Sequence, residues 1–199
     1  MIINVKHRVI ADTIFSVSEK RVFKIIKDIS LCLSFAILTA ILSKIKVEVG
    51  AIPVTMQTFA VFLSGALLGS RKGALSQLMY LIFGIFGAPF FARGGGFAYI
   101  LSPTFGYIIG FSFAAFFIGF LFEKKLCNNI KTSIIGFSLC NILIYLPGLF
   151  WLTKFVGFEK VLTIGLCPFL LGDFLKILLA SFILPVFFKI NERFNLNKK

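Results

Sequence analysis

Two charges interrupt the last long apolar stretch of this 199-residue chain, in Leu171-Gly172-Asp173-Phe174-Leu175-Lys176-Ile177-Leu178-Leu179. Each costs at least ~2.5–3.5 kcal/mol at the centre of a membrane helix, so two of them three residues apart point to a use. At that spacing they share one helix face, with Lys176 about one turn deeper than Asp173. Asp173 offers acceptors, and Lys176 offers donors and positive charge. Together they suit a polar or anionic ligand that has left water; the structural alternative is an ion pair that knits helices together. Polar groups at two other places could join them. Thr55 and Gln57 follow Pro53 in Ile52-Pro53-Val54-Thr55-Met56-Gln57 and bring hydrogen-bonding groups to the end of an apolar span. Arg93 is the one charge in a stretch rich in Gly and aromatics, Ala88-Pro89-Phe90-Phe91-Ala92-Arg93-Gly94-Gly95-Gly96-Phe97-Ala98-Tyr99. There the glycines let backbone approach a ligand or hinge a loop, and the rings supply apolar walls.

The elements that must position these groups are membrane helices. The chain is 58% hydrophobic, with 27 Phe and a mean hydropathy of +0.98. That composition belongs to a polytopic membrane protein, and the length allows about six spans of ~20 residues. We expect an all-α fold, a bundle of six transmembrane helices at about 29–46, 56–70, 72–88, 103–122, 131–153 and 171–190. Residues 1–28 form a charged N-terminal segment and 191–199 a short tail. Ser16-Val17-Ser18-Glu19 fits a capping box, so the first helix is expected to start in water. The charged region ahead of the first span is too long for a cleaved signal peptide. Residues 89–102 and 160–172, punctuated by Gly and Pro, read as partly buried or re-entrant loops. Such backbone survives at membrane depth only where it packs on protein or lines a cavity.

Charge sets the orientation. With six spans, fifteen of the 21 Lys and Arg fall on the side of the two termini, five on the other, and Lys176 within the membrane. Both termini are therefore expected in the cytoplasm, in a cell-membrane protein. The loops at 46–55, 88–102 and 154–170 then face outside, with Asp173 and Lys176 beneath them. The net charge of +13 is that of cytoplasmic loops dispersed between spans, not of a nucleic-acid-binding domain.

Several chemistries are missing. No Gly-x4-Gly-Lys-Ser/Thr occurs, so the chain carries no P-loop. The four cysteines, Cys32, Cys127, Cys140 and Cys167, show no metal spacing and read as small hydrophobes. The single histidine, His7, lies in the N-terminal segment, which leaves no histidine chemistry in the membrane. No metal, cofactor or catalytic residue is expected. Small residues recur at four-residue spacing, at Ala36/Ala40, Gly65/Gly69 and Gly106/Gly110, and allow close helix approach. Ala36/Ala40 lies on the first helix, where it could serve another protein.

The order and spacing of several motifs resemble the BioY family, the biotin-specific substrate-binding (S) components of energy-coupling factor (ECF) transporters. They are Pro53-Val54-Thr55-x-Gln57, Leu67-Leu68-Gly69 through Gly73-x-Leu75-Ser76 and Tyr80-Leu81, Gly84-x-x-Gly87-x-Pro89-x-Phe91-Ala92, Pro103-Thr104-x-Gly106-Tyr107 and Gly172-Asp173-x-x-Lys176. The resemblance covers about residues 30–190. Arg93, Ser102 and Leu171 depart from the usual pattern. It implies a biotin site near the outer face, to which Asp173, Lys176, Thr55, Gln57, Tyr80, Arg93 and Tyr107 contribute. It also implies contact of Ala36 and Ala40 with a shared transmembrane subunit, itself joined to two ATPases. Other readings are an S component for a different vitamin, or a membrane-embedded enzyme acting on lipid with Asp173 as acid or base.

Overall fold

The computed structural model describes the backbone of residues 21–196 and the side chains of residues 22–184. The expected capping box at Ser16–Glu19, and His7, lie outside the described residues. Helix α1 (Arg21–Lys44) is followed by strands β1 (Lys46–Val49) and β2 (Ile52–Thr55), then by α2 (Gln57–Leu68) and α3 (Ser70–Ile85). A 3-10 turn (Phe97–Leu101) leads into α4 (Phe105–Glu123) and α5 (Ile130–Gly165). A second 3-10 turn (Cys167–Phe169) precedes α6 (Leu170–Leu196). The molecule is mostly helical. Among the described residues, Val22–Lys44, Phe105–Glu123 and Ile130–Leu184 are the stretches long and apolar enough to cross a membrane.

The structure departs from the expected elements in two places. Residues 46–55 are an antiparallel hairpin with Lys46 opposite Thr55 and Val49 opposite Ile52. Alternating Val47, Val49, Ile52 and Val54 favour extended backbone, and Gly50, at φ 71°, opens the two-residue turn. Residues 160–172, expected as a loop, are helical as far as Gly165. The interruption falls earlier, at Gly157 (φ 76°, ψ 166°), a conformation closed to most side chains. The boundary between α2 and α3 falls at Gly69, two residues before the expected gap and again at positive φ.

Helix α4 is the hub, packed against α5, α3 and α2, while α1 lies on α3 and α2, and α6 on α5 and α2. Small residues set these distances. A Cβ on Gly110 would lie 2.9 Å from the Ile144 Cα, and one on Gly73 would lie 2.7 Å from the Gly65 Cα. Two of the three expected small-residue pairs therefore contribute to close contacts inside the bundle. The third, Ala36/Ala40, is also buried, at 0 and 8% exposure. Its stripe of α1 faces α3: the Cys32 thiol donates to the Lys72 carbonyl, and Thr39 bonds with Gln77. This pair is not on the outer surface of the described chain, where Ile37 and Ile41 lie instead.

Many polar groups inside the bundle are paired, as an apolar solvent demands, although Ser112, Asn141 and Ser181 each carry a buried oxygen without a partner. The Gln77 amide donates to Ser64 at 3.0 Å and to Thr39 at 3.2 Å, tying α1, α2 and α3 together. At the end away from the hairpin, the Glu123 carboxylate accepts from the Ser70 amide at 2.7 Å and caps α3, a favourable place for negative charge. Lys72 and Asp28 pair at 2.7 Å at the same end. Cys32, Cys127 and Cys140 are buried free thiols, and Cys167 is exposed.

The α4–α5 contact yields a stability prediction. Gly110→Val places a branched side chain against the α5 backbone, so thermal unfolding in detergent should show a loss of ~1–3 kcal/mol or more. An unchanged melting midpoint would mean that α4 and α5 do not approach as described.

Candidate ligand-binding site

Asp173 lies in the first turn of α6 and Lys176 one turn further on, and both are 5% exposed. Lys176 Nζ sits 2.8 Å from Asp173 Oδ1 and donates to Thr58 Oγ1 of α2 at 3.0 Å. The Tyr145 hydroxyl of α5 donates to Asp173 Oδ2. One carboxylate is thus held from two helices, and the ammonium is fixed to a third. The cluster forms one wall of a cavity.

The cavity is lined by the hairpin (Ile52, Pro53, Thr55), α2 (Gln57, Thr58), the Gly-rich loop (Ala92, Tyr99, Thr104), α4 (Tyr107, Ile108, Phe111), α5 (Asn141, Ile144, Tyr145), Phe169 and the two charges of α6. Apolar and aromatic surface with a few convergent polar groups is the usual make-up of a small-molecule site. Tyr107, Tyr145 and Phe169 form an aromatic corner with ring centroids 6.1–6.4 Å apart. The Tyr107 hydroxyl donates to the Gly165 carbonyl at 2.9 Å, which fixes the end of α5 over that corner.

Gln57 is held on both sides of its amide. Its Oε1 accepts from Thr55 at 2.8 Å, and its Nε2 donates to the Tyr80 hydroxyl. Tyr80, fully buried, stands behind Gln57 and donates to the Phe90 carbonyl at 3.3 Å. It therefore acts on the cavity through Gln57.

Two loops cover the mouth, and Arg93 joins them. Its guanidinium donates to Glu48 Oε2 at 2.5 Å, to the Ala51 carbonyl at 2.9 Å and to the Gly50 carbonyl at 3.2 Å, all in the hairpin. Gly94 and Gly96, at φ +124° and +104°, turn the chain sharply enough to present Arg93 to the hairpin. The other side of this loop is anchored to α1. Ser43 donates to the Phe90 carbonyl at 2.7 Å and Lys44 to the Phe91 carbonyl at 2.6 Å. Trp151 of α5 donates to the Ser102 carbonyl at 3.0 Å. The Glu48 carboxyl is pulled down to about 2 by the hydrogen bonds from Arg93 and then Lys46. Its folded value lies below the ordinary 4.5, so its pairing is complete above 4.5 and is lost only as pH falls through about 2.

Comparison with known proteins places the chain. The BioY family profile matches residues 12–193. The chain belongs to the BioY family. A probable biotin transporter BioY of Pyrococcus horikoshii is 43% identical over 151 residues, which cover 75% of this chain and 89% of that protein. A biotin transporter BioY of Thermotoga maritima is 35% identical over 153 residues, covering 75% of this chain and 88% of that protein. The crystal structure of the S-component for biotin from an ECF-type ABC transporter superposes with a TM-score of 0.74 at 25% identity. The match covers 86% of this chain and 95% of that one.

Of the residues named from the sequence, Asp173, Lys176, Thr55, Gln57 and Tyr107 line one cavity in this BioY chain, Tyr80 backs it through Gln57, and Arg93 does not line it, its donors being turned to the hairpin. Sequence reasoning missed Tyr145, Asn141 and Thr58. For two of them a signal existed. Asn141 and Tyr145 are polar residues four apart in the apolar run 134–152, hence on one helix face.

The Arg93 contacts predict how the mouth behaves. Arg93→Ala should raise amide hydrogen exchange in residues 46–55 and 88–96 several-fold and leave α4 protected. In the unsubstituted protein, exchange corrected for its intrinsic pH dependence should stay level across the neutral range, because Glu48 remains ionised there. Equal protection of both loops in the two proteins would remove Arg93 as the link.

Proposed function

We propose that this chain binds biotin at the outer face of the membrane as the S component of an ECF-type transporter, and serves biotin uptake. It has no catalytic reaction of its own. The observation that carries this reading is the placement of the buried Asp173–Lys176–Tyr145 cluster on the wall of a cavity, on a fold that matches a biotin S-component along nearly its whole length. Biotin has a neutral ureido ring with two N–H donors and a carbonyl, an apolar fused ring and chain, and a carboxylate. The cavity offers partners for each part. Its aromatic corner and Ile residues exclude water from the rings and chain, with ~25 cal/mol per Å² of apolar area as driving term. Its polar groups provide discrimination, because buried partners left unpaired reject analogues far more strongly than apolar walls do.

The finer arrangement follows the charge count. Six spans cross the cell membrane within residues 29–190, and both the N-terminal segment 1–28 and the tail 191–199 lie in the cytoplasm. The hairpin and the Gly-rich loop then face outside and close over biotin. Helix α6 is continuous across residue 191, so the tail begins as an extension of the last span. A transmembrane subunit and two ATPases drive inward release, since this sequence has no P-loop. Contact of Ala36 and Ala40 with that subunit, as the family resemblance implies, requires α1 to move off α3.

The decisive test is equilibrium binding of radiolabelled biotin to purified protein in detergent. Saturable binding is expected, displaced by unlabelled biotin and not by other vitamins. Asp173→Asn should weaken binding at least about tenfold, the range for losing a hydrogen bond to a charged group, while the variant still elutes as a single folded species. Wild-type affinity in folded D173N would take Asp173 out of the site. Displacement by another vitamin would reassign the ligand.

A further inference from the structure

We propose that an anionic phospholipid seats one acyl chain in a second groove, between the hairpin and α6, and closes the ligand cavity on its membrane side. The effect on ligand release rests on the biotin reading above; the lipid site itself does not. Val54 and Met56 line the groove from the hairpin side, and Leu175 and Leu179 line it from α6. Leu175 and Leu179 are 59 and 44% exposed, on a stretch apolar enough to cross the membrane. The hairpin and α6 come together at Gly172, where a Cβ would lie 3.3 Å from Val54 Cγ1. From Gly172 to Leu179 the groove follows the helix axis for about 10 Å.

The charges at the hairpin end say what fills it. Lys46 lines the groove and pairs with Glu48 Oε1 at 2.7 Å, while Glu48 Oε2 is taken by Arg93. Lys44, at the end of α1, donates to the Phe91 carbonyl, not to a carboxylate. Three cations thus share one carboxylate, which leaves two positive charges in excess. Apolar walls do not hold water, and the membrane offers acyl chains to a groove that opens on it. An apolar channel with a cationic end fits an amphiphile with an anionic head, its phosphate at Lys46 and its chain along Leu175 and Leu179. Thr55 and Lys176 line both this groove and the ligand cavity, so these side chains form the partition between them. A chain in the groove covers the outer side of that partition and keeps water from the Asp173–Lys176 pair.

The test is native mass spectrometry of the full-length protein, freed of co-purified lipid in nonionic detergent, with phosphatidylglycerol or phosphatidylcholine added. Wild type should retain one phosphatidylglycerol molecule in preference to phosphatidylcholine. Lys46→Gln should weaken phosphatidylglycerol binding by about fivefold, the weight of one Lys against an anionic head, and bring the two lipids level. Leu175→Trp, which puts bulk into the groove, should lower retention of both. Should Leu175→Trp not fold, Leu179→Trp serves with the same outcomes. Equal retention of the two lipids by wild type would mean a non-selective surface lipid and overturn the site. So would wild-type retention in either variant. Labelled biotin should leave wild type more slowly in nanodiscs that contain phosphatidylglycerol than in phosphatidylcholine alone, and Lys46→Gln should abolish the difference. Equal release from wild type in the two nanodiscs would overturn closure of the cavity by lipid. Failure of wild type to bind biotin in either would instead overturn the function proposed above, while the retained lipid would still report on the groove.

Discussion

The constraint on which the site depends is that charge at membrane depth must be partnered in every state the protein adopts. An isolated carboxylate or ammonium in so apolar a medium is far more expensive than folding can tolerate, and attraction between the two offsets this only with good geometry and further hydrogen bonds. The cluster around Asp173 meets both conditions. Lys176 occupies one carboxylate oxygen and Tyr145 the other, and Thr58 takes a second proton of the ammonium. These residues come from α6, α5 and α2. Any rearrangement that separated those helices would leave the Asp173–Lys176 pair intact on α6 and strip it of the hydrogen bonds from Tyr145 and to Thr58, so those bonds add to packing in fixing the three helices.

Bringing the helices that close requires space at the backbone. Gly106 and Gly110 of α4 abut Ile144, Pro147 and Gly148 of α5, and this seats Tyr107 beside Tyr145 in the aromatic corner. Gly65 and Gly73 do the same for α2 and α3, next to the Gln77 hub. Without these glycines Tyr145 would stand too far from α4 to complete the corner. The loops above are held differently, by Arg93, Ser43, Lys44 and Trp151 bonding to backbone carbonyls and to Glu48. The Arg93 contacts are exposed and can be exchanged for water, whereas Ser43 is fully buried.

How much of this was legible in the sequence depended on the kind of signal. Charges in an apolar run are conspicuous, so Asp173 and Lys176 could be read directly, as could the helices, from hydropathy. Gly106/Gly110 was legible as a close-approach pair, although its partner helix was not. The hairpin was hidden because residues 46–55 sit between two spans, and four-residue strands leave little periodicity to detect. The extension of α5 to Gly165 was hidden by glycines that look like breakers, of which Gly157 alone adopts a positive φ there. Arg93 was visible as a lone charge, but its partner Glu48 lies 45 residues earlier, and only the turns at Gly94 and Gly96 bring the two together. Ala36/Ala40 shows the limit of motif spacing. Four-residue spacing identifies a face, and it does not say whether that face meets another helix of the same chain or another protein.

Counting donors and acceptors shows how a satisfied site can still bind. An ammonium has three protons, and Lys176 uses two, on Asp173 and Thr58. A carboxylate can accept about four hydrogen bonds, and Asp173 receives one at each oxygen. The pair can therefore add contacts to a ligand without giving up those that keep it neutral as a unit. Gln57 is also fixed in advance, between Thr55 and Tyr80. Binding then requires little reordering of these side chains, which lowers the entropic cost of association. Release is equally constrained. When ligand leaves, Asp173 and Lys176 still hold each other, so the empty site can persist in the membrane without an uncompensated charge. A site built from an unpaired carboxylate would have to trade one ligand directly for another. This one can be emptied, as a component that delivers its ligand across the membrane requires.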